Sequence, residues 1–191
     1  MYFCRKDNGK RTQFNMTITL IRHTSVNVPS GICYGQSDVD VSGNFEFEAP
    51  IVKDRLVSNR FDAVYSSPLK RCEKLARYCG FENPTIDNRL MEINFGNWEM
   101  QAWEDITDPQ LNRWYQNWVT ETPTRGESLM DLICRVDSFI VELKKQNHEH
   151  VAIFTHAGVI RSFGVILEKF SAEKYFDLKV DYGDCVQFIM K

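Results

Sequence analysis

The sequence predicts an α/β fold, a mostly parallel central sheet with helices on both faces. Three observations predict it. Short β-branched runs alternate with amphipathic helical stretches, the pattern that strand–helix–strand crossovers leave in a chain. Apolar residues make up 43% of the 191, enough to bury one core at the length of a single domain. Polar residues interrupt the apolar runs where the predicted strands end, on the rim where α/β sheets bind their ligands.

Residues 1–15 carry Arg5, Lys6, Lys10 and Arg11 but no apolar run and no periodicity. They read as an extension ahead of one domain, residues 16–191, and not as a secretory signal. Residues 17–21 are short and β-branched, a first strand. Gly31, Gly35 and Gly43 then punctuate a long loop, followed by a helical stretch near residues 46–58. Residues 62–66 read as a second strand. Pro68 fits the first position of the next helix, where its missing N–H costs nothing. On that helix Leu69, Cys72, Leu75, Ala76 and Cys79 share a face, and Gly80 suits the left-handed stop.

The clearest helix spans residues 128–146, with Leu129, Leu132, Ile133, Val136, Phe139, Ile140 and Leu143 at buried-stripe spacing. Thr124 and Glu127 stand as a T-x-x-E capping box before it. Residues 151–155 form a third core strand, a helix follows through Val159, Ile160, Phe163, Ile166 and Leu167, and residues 186–189 close the sheet. Before the long helix, all four tryptophans (Trp98, Trp103, Trp114 and Trp118) crowd into a stretch whose helix starts at Asp108-Pro109, with Asp108 as cap.

With 23 basic and 26 acidic residues the net charge is −3, which gives no electrostatic case for nucleic acid or for an anionic membrane surface. No apolar run approaches the ~18 residues of a membrane span. The expected chain is soluble and cytoplasmic, and its partner a small molecule. Six cysteines without a C-x-x-C pair lie mostly within apolar patterns, as small buried hydrophobes of a reducing compartment.

Three predicted strand ends deliver chemistry. Arg22-His23 ends the first, Ser66-Ser67 the second and His156 the third, while Arg71 lies in the first turn of a helix whose N-terminus favours an anion. Two arginines and two histidines converging there suit a dianionic phosphate, since guanidinium forks match its oxygens and stay charged. A neutral histidine is a nucleophile, and a leaving oxygen needs a proton, for which Glu92 is the candidate acid.

These residues carry a resemblance. Leu20-Ile21-Arg22-His23-Thr24, the run 66–71, Leu90-x-Glu92-x-x-Phe95-Gly96-x-Trp98-Glu99, Gly126-Glu127-Ser128 and His156-Ala157-Gly158-Val159-Ile160-Arg161 stand in the order found in the histidine phosphatase (phosphoglycerate mutase-like) superfamily. Within it, the loop 31–38 resembles that of α-ribazole phosphatases. The resemblance implies that His23 becomes phosphohistidine, that Arg22, Arg71 and His156 hold the phosphate, and that residues 98–125 form a small helical lobe over the site. Glu92 would serve as acid and then base. No metal and no organic cofactor would be needed, and His148 and His150 would face solvent. The implied function is hydrolysis of a phosphomonoester, α-ribazole 5′-phosphate above a broad small-molecule phosphatase or mutase-like activity, and above a non-catalytic phosphate-binding module.

The chain departs from the family at Thr24, where glycine is usual, and at Arg125, which replaces a glycine common before Gly-Glu-Ser. Gln36, Trp98 and Trp114 are candidate substrate contacts. Trp114 and Trp118, four apart, would share a helix face. Such stripes usually pack a core, and the sharper alternative is that one ring stacks on a flat base of the substrate.

Overall fold

The computed structural model describes residues 15–191; the expected N-terminal extension, Asn15 apart, lies outside them. Its sheet has five strands, β1 (Met16–Arg22), β2 (Ala63–Ser66), β3 (Thr85–Ile86), β4 (His150–Thr155) and β5 (Cys185–Met190), in the order β3-β2-β4-β1-β5. The first four are parallel to their neighbours, and β5 runs antiparallel to β1. The predicted α/β class holds. β3 was not expected, because two exposed residues are too short a stretch to show a period.

The pleat sorts side chains onto two faces. Ile18, Leu20, Val151 and Ile153 pack against α4 (Leu129–Leu143) and α5 (Ala157–Ile166), while Ile21, Ala152 and Phe154 pack against α1 (Phe45–Leu56) and α2 (Lys70–Tyr78). All seven apolar stripe residues of α4 are buried; truncating one such as Leu132 to alanine costs about 2–5 kcal/mol. Among the described residues no helix is long and apolar enough to cross a membrane.

Several local expectations need correction. α2 starts at Lys70, so Pro68 precedes the helix. The turn stays extended because Ser67 N–H still donates to the Phe154 carbonyl at 2.9 Å, continuing the ladder past β2. Gly80, at φ +97°, does follow the end of α2. The Thr124–Glu127 capping box is not made. Ser128 is the N-cap instead, exchanging hydrogen bonds with Asp131 (Asp131 N–H to Ser128 Oγ 3.1 Å, Ser128 N–H to Asp131 Oδ2 2.9 Å). Glu127 is drawn off by Arg135, whose Nε and Nη2 donate to it at 2.8 and 2.9 Å.

Between β3 and α4 the chain forms short 3₁₀ turns and one helix, α3 (Gln110–Gln116). Asp108 Oδ1 accepts the Gln110 N–H at 2.9 Å, although Pro109 holds the cap position itself. Because α3 ends at Gln116, Trp114 and Trp118 do not share a helix face. Trp114 turns towards Phe95, Trp98 and Trp103, and Trp118 packs on Tyr175 and Phe176. Cys33, Trp98 and Ile106 form a small core of their own here.

Arg125, the position where the family favours glycine, has φ +63°. A side chain in that region costs about 1–2 kcal/mol, against about 0.5–1 kcal/mol for the extra freedom of glycine in the unfolded chain. Arg125→Gly is therefore expected to raise stability by roughly 0.5–1 kcal/mol, read as a higher urea midpoint. A lower midpoint would show that the arginine side chain contributes more than its backbone costs.

Candidate active site

The site is assembled by strand register. Arg22 pairs with Thr155, and Ser66 with Phe154. His23 N–H then donates to the Thr155 carbonyl at 3.1 Å, so the ladder runs one residue beyond the strand. His23, Ser67 and His156 thus leave the sheet side by side at its carboxyl edge. The two imidazoles lie 5.1 Å apart between centroids, and they are 2% and 0% exposed. His23 Nδ1 lies 2.7 Å from the Thr24 carbonyl. A carbonyl only accepts, so Nδ1 carries the proton and Nε2 keeps its lone pair. His156 Nε2 shares a 2.9 Å hydrogen bond with Ser67 Oγ. Thr24 is not among the positive-φ residues, so its side chain meets no backbone penalty there.

Burial holds His23 well below the ordinary histidine value, with the Arg71 charge next and Arg22 adding to it, against the Thr24 carbonyl that favours the proton. His156 is lowered by burial first, then by Arg71, with His23, Arg22 and Arg135 adding to it. Both rings are therefore neutral at physiological pH.

Arg71 is fully buried. Its Nη1 and Nη2 donate to the carbonyls of Ser37 (2.8 Å) and Gly35 (2.6 Å), and its Nε has no partner. Arg22 donates from Nη1 to the Val180 carbonyl at 2.7 Å and lies 4.0 Å over the Tyr182 ring, and its buried Nε is likewise unpaired. Among the described residues, no carboxylate reaches either guanidinium at ion-pair distance. A buried charge without a counterion is costly, and an orphaned donor adds about 1–3 kcal/mol. A bound anion relieves both.

At two helix starts a carboxylate already takes one backbone N–H. Asp38 Oδ1 accepts the Lys70 N–H at the start of α2 (2.8 Å), and Glu92 Oε2 accepts the Gly158 N–H at the start of α5 (3.1 Å). Those two N–H groups are occupied, and the arginines supply the full positive charge of the pocket. A Cβ at Gly158 would collide with the Glu92 carboxylate, so a side chain there would displace that carboxylate.

Two residues that sequence reasoning missed hold this frame. Arg135 grips the segment bearing Glu92, donating to the carbonyls of Arg89 (2.8 Å), Met91 (3.0 Å) and Glu92 (3.2 Å). Glu99 accepts from Gln36 N–H (2.8 Å), Ser37 N–H (2.5 Å), Phe95 N–H (3.1 Å) and the Ser37 hydroxyl. It fixes the very loop whose carbonyls hold Arg71. No periodicity marks Arg135, whereas Glu99 sits inside a motif already singled out.

A cavity of about 300 Å³ opens over Arg22, His23, Arg71 and Glu92. Phe95, Trp103 and Trp114 form one wall, and Trp118, Tyr175 and Phe176 another part of its lining. Trp98 does not reach it: the ring is 1% exposed inside the lobe, its Nε1 donating to Asp108 at 2.8 Å. Gln36 is not on the cavity either, because its Nε2 donates to the Glu92 carbonyl at 3.0 Å. Arg161, also missed, lines the cavity with its Nε tied to the Leu178 carbonyl at 2.9 Å. Its place three residues after Gly158, on one helix face, was the available signal.

Comparison with known proteins agrees with this geometry. A sequence model of the histidine phosphatase superfamily (branch 1) matches residues 18–190. The adenosylcobalamin/alpha-ribazole phosphatase of Salmonella typhimurium is 28% identical over 177 residues, 88% of this chain and 87% of its own length. Phosphoserine phosphatase 1 of Hydrogenobacter thermophilus is 29% identical over 168 residues, 80% and 79% of the two chains. The crystal structure of the alpha-ribazole phosphatase from Shigella flexneri superposes with a TM-score of 0.83 at 27% identity, covering 90% of this chain and 89% of that one. Since the family match takes in every residue that lines the cavity, the chain belongs to the histidine phosphatase superfamily, branch 1.

Proposed function

We propose that this phosphatase hydrolyses a small phosphomonoester through a phosphohistidine on His23, with α-ribazole 5′-phosphate as its ester. The observation that carries the reading is a pair of guanidinium groups, each with a buried Nε that has no partner, beside a neutral imidazole with a free Nε2. In the first step Nε2 forms a bond to phosphorus while the ester P–O bond breaks in line. Arg22, Arg71 and His156 hold the equatorial oxygens. Glu92 gives its proton to the departing alkoxide. In the second step Glu92 takes a proton from water, the water oxygen bonds to phosphorus, and the N–P bond breaks to restore His23.

The flat aromatic wall of the cavity supports a leaving group with a planar base, stacked on Trp103, Trp114 or Trp118. Trp98, buried in the lobe, is withdrawn as a contact. Gln36 keeps an indirect place, through its bond to the Glu92 backbone. A second reading rests on Arg161. Its guanidinium faces the leaving-group side without a carboxylate partner among the described residues, which favours an ester carrying a further anionic group, as in broad small-molecule phosphatases.

Rapid mixing with labelled p-nitrophenyl phosphate should leave label on His23, and His23→Ala should abolish both label and turnover. Label elsewhere would overturn the nucleophile. Glu92→Gln should lower kcat on an alkyl phosphate by about 10²–10⁴-fold, while phosphohistidine formation from p-nitrophenyl phosphate, whose leaving group needs no proton, suffers less. Equal losses in both would remove Glu92 from the acid role.

Alanine at Trp103, Trp114 or Trp118 should reduce kcat/KM more on α-ribazole 5′-phosphate than on a plain sugar phosphate. Parallel losses would eliminate stacking.

The neutral histidines set a pH dependence of stability. Their folded values lie well below the ordinary 6.5, so the full stability is present above about pH 6.5. As pH falls below that, the unfolded chain binds protons that the folded chain refuses. Stability then drops by up to about 1.4 kcal/mol per pH unit for each ring. Urea midpoints between pH 7.5 and 5.5 should fall less steeply in His156→Asn than in the unaltered chain. An unchanged slope would mean that the ring is protonated when folded.

A further inference from the structure

Two tyrosines at the rim of the pocket have no part in the chemistry above. Tyr34 belongs to the loop that holds Arg71, and Tyr182 to the segment before β5. They stand 148 residues apart in the chain, yet their hydroxyls share a 2.7 Å hydrogen bond.

Each ring also faces one of the two unpaired guanidinium groups. Arg22 Cζ lies 4.0 Å from the Tyr182 ring centre, and Arg71 Cζ lies 5.7 Å from that of Tyr34. The Tyr182 ring is 5.6 Å from the His23 ring as well. Distances within about 6 Å give a cation an attraction to the ring face.

The two loops are anchored on opposite sides of the phosphate position. On one side, Arg22 N–H donates to the Asp184 carbonyl (2.9 Å), Gly183 N–H to the His23 carbonyl (3.1 Å), and Arg22 Nη1 to the Val180 carbonyl (2.7 Å). On the other side the Gly35 and Ser37 carbonyls take Arg71. Two like charges held close together repel, so something must oppose their separation when no anion lies between them. Backbone carbonyls fix each arginine to its own loop. Among the described side chains, the hydroxyl pair is the direct hydrogen bond between residue 34 and residue 182 that joins one loop to the other.

We propose that Tyr34 and Tyr182 are positioning residues, a hydrogen-bonded bridge that keeps Arg22 and Arg71 at the spacing a phosphoryl group requires. The inference rests on the reading of this pocket as a phosphate site. The bridge acts before substrate arrives: it presets the two forks so that binding need not reorganise them. Its loss is felt in phosphate affinity, and in KM more than in kcat.

The experiment is a double-mutant cycle on the full chain with Tyr34→Phe, Tyr182→Phe and the double variant. It measures the binding constant of inorganic phosphate by calorimetry, and KM and kcat on p-nitrophenyl phosphate. One hydrogen bond lost should weaken phosphate binding by about three- to tenfold in each single variant. The double variant should be no weaker than the singles, because both break the same bond. Tyr182→Leu, which also removes the ring from Arg22, should weaken binding further than Tyr182→Phe. Phosphate affinity untouched in both Phe variants, or losses that multiply in the double variant, would overturn the bridge. Absence of phosphate binding by the unaltered chain would instead overturn the pocket reading itself, so the two failures are distinguishable.

Discussion

The site depends on a buried positive charge that the protein leaves unneutralised. Arg71 is enclosed by the fold, held by two backbone carbonyls, and left with one N–H pointing at no acceptor. Carbonyls orient a guanidinium without cancelling its charge, whereas a carboxylate would do both. The pocket therefore remains cationic, and an anion that enters meets donors already aimed. Burial, with the same charge adding to it, keeps His23 and His156 neutral. One arrangement thus supplies attraction for the phosphoryl group and an imidazole with a free lone pair.

The acidic residues around the pocket divide by what they touch. Asp38, Glu99 and Glu127 are committed to backbone N–H groups or to Arg135, and they hold loops in place. Among the described residues, Glu92 is the one acid that lines the cavity. It is held at the N-terminus of α5 by Gly158 N–H and by its neighbour Ile93 N–H at 2.9 Å. This placement suits the acid and base role proposed for Glu92. Gly158 belongs to the same device, because any side chain there would displace the carboxylate.

The aromatic lobe serves two ends through different members. Trp98 is spent on the packing of the lobe, its N–H satisfied by Asp108. Trp103 and Trp114, stacked at 5.7 Å, turn a face towards the cavity, and Trp118 joins it from beyond the end of α3 with Phe176 at 4.8 Å. The rings that pack the lobe thus touch the rings that line the cavity.

The α/β class, four of the five strands, the long buried helix and the convergence of Arg22, His23, Arg71 and Glu92 on one cavity, with His156 behind His23, were all legible in the amino-acid order. Strand and helix periods are local properties, and a strand end in a parallel sheet points to a common rim whatever the loops do. Tertiary structure alone decided the rest. Which carboxylate caps which helix, which tryptophan faces the cavity, and that Glu99, Arg135, Tyr34 and Tyr182 serve the site all follow from contacts between segments distant in the chain. Such contacts leave no period to read: Ser128 won the cap because Arg135 claimed Glu127, and Trp114 and Trp118 parted because α3 ends between them.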